Sequence, residues 1–269
     1  MPIHPLRLCR SILFLPASNP RAIEKARTLP ADMIILDLED GVKGEDKDDA
    51  RSRAMAAADE GFGGRPVAIR VNAPGTTDYG RDVVQIRDCG ADYIVLPKVE
   101  QDRQVRDTRV LATKPVIAMI ETPHGVLHAP AIAAQSEALI AGTNDLSAQL
   151  GLPAGQARSG LAHALQSIVL AGRAAGIAVF DGVYNRLDDS EGLEREALDG
   201  RASGFDGKTL IHPSQIDGAN RVFSPGKDEI DEARRLIAAA TGGAERFEGR
   251  MIESMHVRQA EWVLAKARL

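Results

Sequence analysis

The chain is 269 residues long, with 33 Lys and Arg against 38 Asp and Glu, a formal net charge of −5, and 44% hydrophobic residues. A mildly acidic chain with only 4% aromatics has neither the basic surface nor the stacking rings that nucleic-acid recognition uses. Two cysteines, Cys9 and Cys89, are too few for a disulfide framework or a cysteine zinc site and fit a reducing cytoplasm, and no apolar run approaches the roughly 20 residues of a membrane span.

Arg7 and Arg10 precede the first apolar run, ILFLP (12–16), which Pro16 cuts too short for a secretory leader. It reads as a strand. Asn19-Pro20 then opens a helix to about Leu29, with Ser18 or Asn19 as its cap. MIILDLED (33–40) is the second strand, before a charged, alanine-rich helix over 45–60. VAIRVN (67–72) leads to a helix at 77–89, and YIVLPK (93–98) to one at 101–112. VIAMIE (116–121) runs into a turn at Pro123 and Gly125 and a helix at 126–135. ALIAGTND (138–145) is the predicted sixth strand, before the longest helix, 156–175, which Gly176 ends. IAVFDG (177–182) precedes a helix at 188–202, and GFDGK (204–208) precedes one at 213–222.

Eight strands alternating with helices predict an α/β fold, a (β/α)8 TIM barrel over residues 1–224, close to the usual size of roughly 250 residues. Residues 225–269 are left over as a C-terminal helical extension: a helix at 228–240, the loop TGGAERFEGR, and a last helix at 255–268. It packs on the barrel, on a neighbouring subunit or over a site, and the pattern favours none of the three.

Barrel chemistry sits where strands end. The polar stops are Asp37, Glu39, Asp40, Arg70, Lys98, Glu121, Asp145, Asp181 and Lys208. Glu121 and Asp145 end neighbouring strands, about 4.8 Å apart. Adjacent ionised carboxylates repel, so they share a proton or bind a cation. Oxygen donors without a nearby His or Cys suit Mg2+, which takes its other ligands from water and substrate. The alternative is two unrelated acids at loop starts. Arg70 presents a fork that grips a carboxylate, or pairs structurally with the acids one strand earlier. Alternation puts Asp37 and Glu39 on one side of their strand, where one of them could orient Arg70 or a metal-bound water. Asp40-Gly41 reads equally as a turn. Lys98 is a cation for substrate or a partner for those acids, whose charge argues against a Schiff-base role. His124 and His128 are spaced i, i+4 but lack the HExxH context, so they read as a solvated or capping pair. The phosphate-loop GxxxxGK, the GxSxG elbow and the GxGxxG fingerprint are all absent.

Several segments together carry a resemblance. They are RSILFLPASNPRAIEKA (10–26), ADMIILDLEDGV (31–42), IRVN (69–72), LPKVE (96–100), IET (120–122), GTNDLSAQLG (142–151) and GFDGKTLIHPSQI (204–216). In this order they resemble the citrate lyase β-subunit-like proteins of the HpcH/HpaI aldolase/citrate lyase family. The resemblance implies a TIM barrel in a homo-oligomer, trimer or hexamer, and a Mg2+-dependent carbon–carbon lyase. The implied substrates are 3-hydroxyacyl thioesters, citryl-, malyl- or citramalyl-CoA, cleaved to acetyl-CoA and a 2-oxo acid. It implies Glu121 and Asp145 as metal ligands and Arg70 as the holder of the acid's carboxylate; Asp37 and Lys98, from their places at strand ends, are the further candidates for contact with substrate.

The tail departs from the family pattern. Met251-Ile252-Glu253-Ser254-Met255 has Glu253 where the family commonly carries an Asp, and lacks the proline that follows. Glu253 of an adjacent subunit is then the candidate acid for the leaving enolate. Asn144 stands where relatives often have an acid. Arg21 and Lys25, one helical turn apart, are candidates for the CoA phosphates, against a plain solvated basic face. The competing expectations are an aldolase on free 2-oxo acids, the β component of a multi-subunit citrate lyase, and an inactive binding barrel.

Overall fold

The structure, a computed structural model, describes residues 4–153 and 157–267. Residues 156 and 268, the predicted ends of two helices, lie outside that range. Eight parallel strands close into a barrel in sequence order: β1 (Ser11–Pro16), β2 (Met33–Asp37), β3 (Val67–Arg70), β4 (Tyr93–Leu96), β5 (Val116–Ile120), β6 (Ala138–Ala141), β7 (Ala178–Asp181) and β8 (Gly207–Leu210). The helices are α1 (Pro20–Ala26), α2 (Lys47–Glu60), α3 (Thr77–Ile86), α4 (Asp102–Ala112), α5 (Pro123–Leu127), α6 (Ala129–Ala133), α7 (Thr143–Gln149), α8 (Ala157–Ala175), α9 (Ser190–Ser203), α10 (Ile216–Phe223), α11 (Lys227–Ala239) and α12 (Ser254–Lys266).

Most strand residues are apolar because both faces of the strands are covered. Alternate residues point inward, so Ile12, Phe14, Met33, Ile35, Ala68, Val95, Ile117, Met119, Ile140 and Phe180 fill the barrel. Leu6, on a 3-10 turn ahead of β1, joins that interior. Their neighbours in sequence, among them Leu13, Ile34, Leu36, Ile69, Ile94 and Val179, pack against the helices.

Three predicted boundaries move, each with a consequence. The sixth run does not stay extended to 145: β6 stops at Ala141, and Thr143–Gln149 is α7, with Gly142 at its N-cap. Thr-Asn-Asp is a helix-start signal, so Asp145 sits in a first helical turn rather than at a strand end. The eighth strand begins three residues later than the predicted 204, which makes Lys208 its second residue, facing the helices. The helix after β5 begins at Pro123 rather than 126. Proline costs nothing at a first helical position, and the Thr122 hydroxyl accepts the Gly125 N–H at 2.9 Å.

In the extension, the predicted loop after 240 contains a hairpin of β9 (Glu245–Phe247) and β10 (Arg250–Ile252). Phe247 and Ile252 from the hairpin join Ala233 and Leu236 of α11 and Ala260 of α12 in a small core of their own. The end of α12 docks beside β8. Buried Lys266 donates to the backbone oxygen of Asp206, with its ammonium 5.7 and 5.1 Å from the ring centres of Phe223 and Trp262. Asp206 directly precedes β8, so this contact lies at the amino-terminal end of the barrel. Among the described residues no helix is long and apolar enough to cross a membrane.

Candidate active site

A cavity of about 360 Å3 opens at the carboxyl ends of the strands. Phe14, Met119, Ile140 and Thr209 contribute from strands, Asp37, Arg70 and Glu121 from strand ends, and Asn144, Asp145 and Asn185 from the loops and α7 beyond. Its apolar floor is the top layer of the barrel interior.

Arg70 and Asp37 are register partners across β2 and β3, and their side chains lock as a fork. Arg70 Nε donates to Asp37 Oδ1 at 2.6 Å and Nη2 to Oδ2 at 2.7 Å. Asp37 in turn accepts the backbone N–H groups of Glu39 and Gly41, each at 2.9 Å. Nη1 of Arg70 lies 3.2 Å from Glu39 Oε2, and the guanidinium sits 5.0 Å over the Phe14 ring. Burial works against the charge on Arg70, but Asp37 and then Glu39 outweigh it and raise its pKa. Arg70 is paired with the acids of β2, and it is presented to the cavity.

Glu121 follows β5 and is 2% exposed. Its Oε1 accepts the backbone N–H of Lys98 at 2.7 Å. Gly142, at the start of α7, passes so close that a Cβ there would lie 2.4 Å from Glu121 Oε2. Glycine is the residue that permits this approach. Burial, then the negative charge of Glu39 and of Asp145, push the Glu121 carboxyl up to about 7, against the Lys98 N–H and Arg70. Asp145 lines the same cavity from the first turn of α7. The structure therefore brings Glu121, Asp145, Arg70 and Asp37 together. The donor set is all oxygen, and the charge of Glu121 is under-compensated by the protein, which is what a divalent hard cation would relieve. Among the described residues no group of three or more His, Cys, Asp or Glu could hold a metal by itself. Water or substrate would have to complete the shell.

Other predicted residues fall elsewhere. Lys98 Nζ is held on Glu39 Oε1 at 2.8 Å, and neither residue is part of the cavity wall. Asp181 and Lys208 face outward, which corrects their reading as strand-end candidates. Lys208 Nζ bonds Asp181 Oδ2 at 3.1 Å, Gly182 O at 2.7 Å and Glu196 Oε1 at 2.8 Å, and Arg158 reaches Asp181 Oδ1 at 2.7 Å. Arg21 and Lys25 are exposed on α1, past the end of β1. Glu253 caps α12, its N–H donating to His256 Nδ1 at 2.9 Å, and does not line this chain's own cavity. His124 and His128 stack at 6.4 Å near the α5–α6 junction, with His128 Nδ1 2.9 Å from the His124 carbonyl oxygen. Sequence reasoning missed the Asn144–Asn185 amide pair at the rim (2.7 and 3.3 Å) and Phe14 beneath Arg70. Asn185 sits in an irregular stretch with no periodic signal. Phe14 was visible as an inward position of the first strand.

Residues 10–213 match the family model described as HpcH/HpaI aldolase/citrate lyase. The chain is 41% identical to a (3S)-malyl-CoA thioesterase of Cereibacter sphaeroides, over 98% of this chain and 95% of that protein. It is 33% identical to the L-malyl-CoA/beta-methylmalyl-CoA lyase of Rhodobacter capsulatus, over 100% of this chain and 97% of that protein. Among solved structures, CitE of Mycobacterium tuberculosis, in complex with magnesium, acetoacetate and coenzyme A, superposes with a TM-score of 0.82 at 35% identity. That match covers 98% of this chain and 100% of the other.

Proposed function

This chain belongs to the HpcH/HpaI aldolase/citrate lyase family, and from that premise we propose that it is a Mg2+-dependent lyase acting on a 3-hydroxyacyl-CoA of the malyl, citramalyl or citryl type. The observation that carries the reading is Glu121: a buried carboxyl, pushed up to about 7, in one cavity with Asp145 and a fork-bearing arginine. The names of the relatives and the magnesium and coenzyme A of the CitE complex support the same substrate class.

Glu121 and Asp145 would hold the metal, whose chemistry is Lewis acidity toward the oxygens of the hydroxy-acid end. Arg70 binds the acid's carboxylate, and Asp37 fixes its guanidinium plane through two hydrogen bonds. Phe14, Met119 and Ile140 exclude water beneath the reacting carbons. In the reaction the carbon–carbon bond next to the hydroxylated carbon breaks. The hydroxyl loses its proton and becomes the carbonyl of a 2-oxo acid, and the thioester fragment takes a proton to become acetyl-CoA. Glu253 does not line its own chain's cavity, so its role as that acid requires an adjacent copy of the chain in a homo-oligomer. Arg21 and Lys25 are the proposed contacts for the CoA phosphates.

A second reading is thioester hydrolysis, favoured by the name of the 41% identical relative. One experiment separates the two: a panel of hydroxyacyl-CoA thioesters with Mg2+, analysed for products. A lyase yields acetyl-CoA and a 2-oxo acid, a thioesterase free CoA and the hydroxy acid. An enzyme that cleaves only free hydroxy-oxo acids sinks both.

A further inference from the structure

The segment between β4 and α4 contains a backbone irregularity aimed at Glu121. Lys98 is one of few non-glycine residues with a left-handed backbone, φ 52°, a conformation that L-residues avoid without cause. The β4–β5 ladder shows how it arises. The Ile94 N–H reaches the Pro115 oxygen, whereas the Val99 N–H reaches the Met119 oxygen. Five steps on one strand thus match four on the other, which is a one-residue bulge. In an unbroken ladder the Lys98 N–H would meet the Met119 oxygen. Because Val99 takes that acceptor, the Lys98 N–H is released, and it donates to Glu121 Oε1 at 2.7 Å. Pro97, just before, has no N–H to offer, so Lys98 carries the first free donor beyond β4. The other end of the residue is tied down: Nζ sits 2.8 Å from Glu39 Oε1, and Glu39 Oε2 lies 3.2 Å from Arg70 Nη1.

We propose that Lys98 is a positioning residue for Glu121, acting through its backbone rather than on the substrate: the bulge turns its N–H onto the carboxylate, and the Glu39 ion pair holds the turn. The inference rests on the proposed metal role of Glu121 for its catalytic meaning, though not for its geometry. One N–H then fixes Oε1, and the opposite oxygen is left to face Gly142 and the cavity. Glu39 couples this arrangement to the arginine, so the candidate metal ligand and the carboxylate fork share one brace.

The test uses two substitutions at Lys98 with different backbone demands. Lys98→Gly loses the ammonium but adopts φ 52° freely. Lys98→Met loses the ammonium and retains the strain with nothing to hold it. In the metal-free protein, hydrogen exchange of the amide at position 98 should be slow in the parent and in Lys98→Gly. It should be at least about tenfold faster in Lys98→Met and in Glu121→Ala, where the acceptor is gone. Mg2+ titration by calorimetry should show Lys98→Gly near the parent and Lys98→Met weaker by about 10- to 100-fold, the usual range for losing a group that orients a ligand. The loss should appear in kcat and in metal affinity, with the KM for thioester nearly constant. Equal losses in both variants with a raised KM would mean that the ammonium contacts substrate, and would overturn the proposal. So would rapid amide exchange in the parent. A parent with a protected amide that takes up no Mg2+ refutes the metal reading alone.

Discussion

Glu121 and Asp181 are both acids at the carboxyl end of a strand, 2% and 0% exposed, and the protein treats them in opposite ways. Asp181 points out toward the helices, where Lys208 and Arg158 bond to it. Burial opposes its charge, but Lys208 and then Arg158 overcome that and hold its carboxyl below the usual carboxylate range. Glu121 points in. It receives one backbone N–H, faces two more acids, and rises to about 7. A buried charge without a partner is costly, so a fold that tolerates one at a barrel mouth leaves the partner to come from outside. Two carboxylates in similar sequence settings thus divide into one whose charge the protein compensates and one whose charge it leaves under-compensated, the one that the proposed reading assigns to a metal.

The largest effect should come from breaking the satisfied acid. Lys208→Met leaves Asp181 paired with Arg158 alone and removes the ion pair to Glu196, at a cost of about 3 kcal/mol, the lower end for removing one partner of a buried pair because Arg158 stays. Urea denaturation should show that loss, with turnover per folded molecule unchanged. If turnover collapses instead, the outer network belongs to the catalytic machinery and the contrast fails.

Glu121→Gln should do the reverse. Above neutral pH the metal-free variant should be at least as stable as the parent, since the amide carries no charge to bury. Turnover should fall by at least about 100-fold, beyond the range seen when only a ligand's supporting group is lost. Normal turnover would remove Glu121 from the site. Arg70→Lys keeps a cation beside Asp37 but gives up the two-pronged contact, so kcat/KM should drop by about 10- to 100-fold. Parent-like kinetics would return Arg70 to a purely structural pairing.

The barrel itself was legible because strands covered on both faces leave continuous apolar runs, and these recur eight times with helical spacers. Arg70 and Glu121 were legible as the polar residues that stop such runs. The direction in which a stop residue points was not. Asp181 and Lys208 look like Glu121 in one dimension, and only the pleat of β7 and β8, which turns Phe180 and Thr209 inward, sends them outward. Asp145 was assigned to the right cavity on the wrong element, because ALIAGTND hides a strand end, a glycine close approach and a helix start in eight letters. The bulge at Lys98 depends on which carbonyl Val99 takes from β5, a tertiary fact with no local sequence signature, and the tail's hairpin core likewise forms only once α11 and α12 meet.

The smallest effect per step, though the most direct probe of the contrast, is pH dependence. The Glu121 carboxyl moves from 4.5 to about 7 because burial first, then Glu39 and Asp145, disfavour its charge. The folded state therefore holds this proton more tightly than the unfolded chain does. Between those two values the metal-free protein loses stability as pH rises, by up to about 1.4 kcal/mol per unit, and the loss levels off above 7. Mg2+ requires the ionised form, so its affinity should climb by up to about tenfold per pH unit below 7 and then reach a plateau. Calorimetric titrations in two buffers of different ionisation enthalpy should find close to one proton released per ion near about pH 6 and almost none near about pH 8. Asp181, held below the usual range by its cations, is ionised throughout and adds nothing to that release. An affinity flat across the interval would mean that Glu121 is already charged and compensated, and the two acids would then be alike.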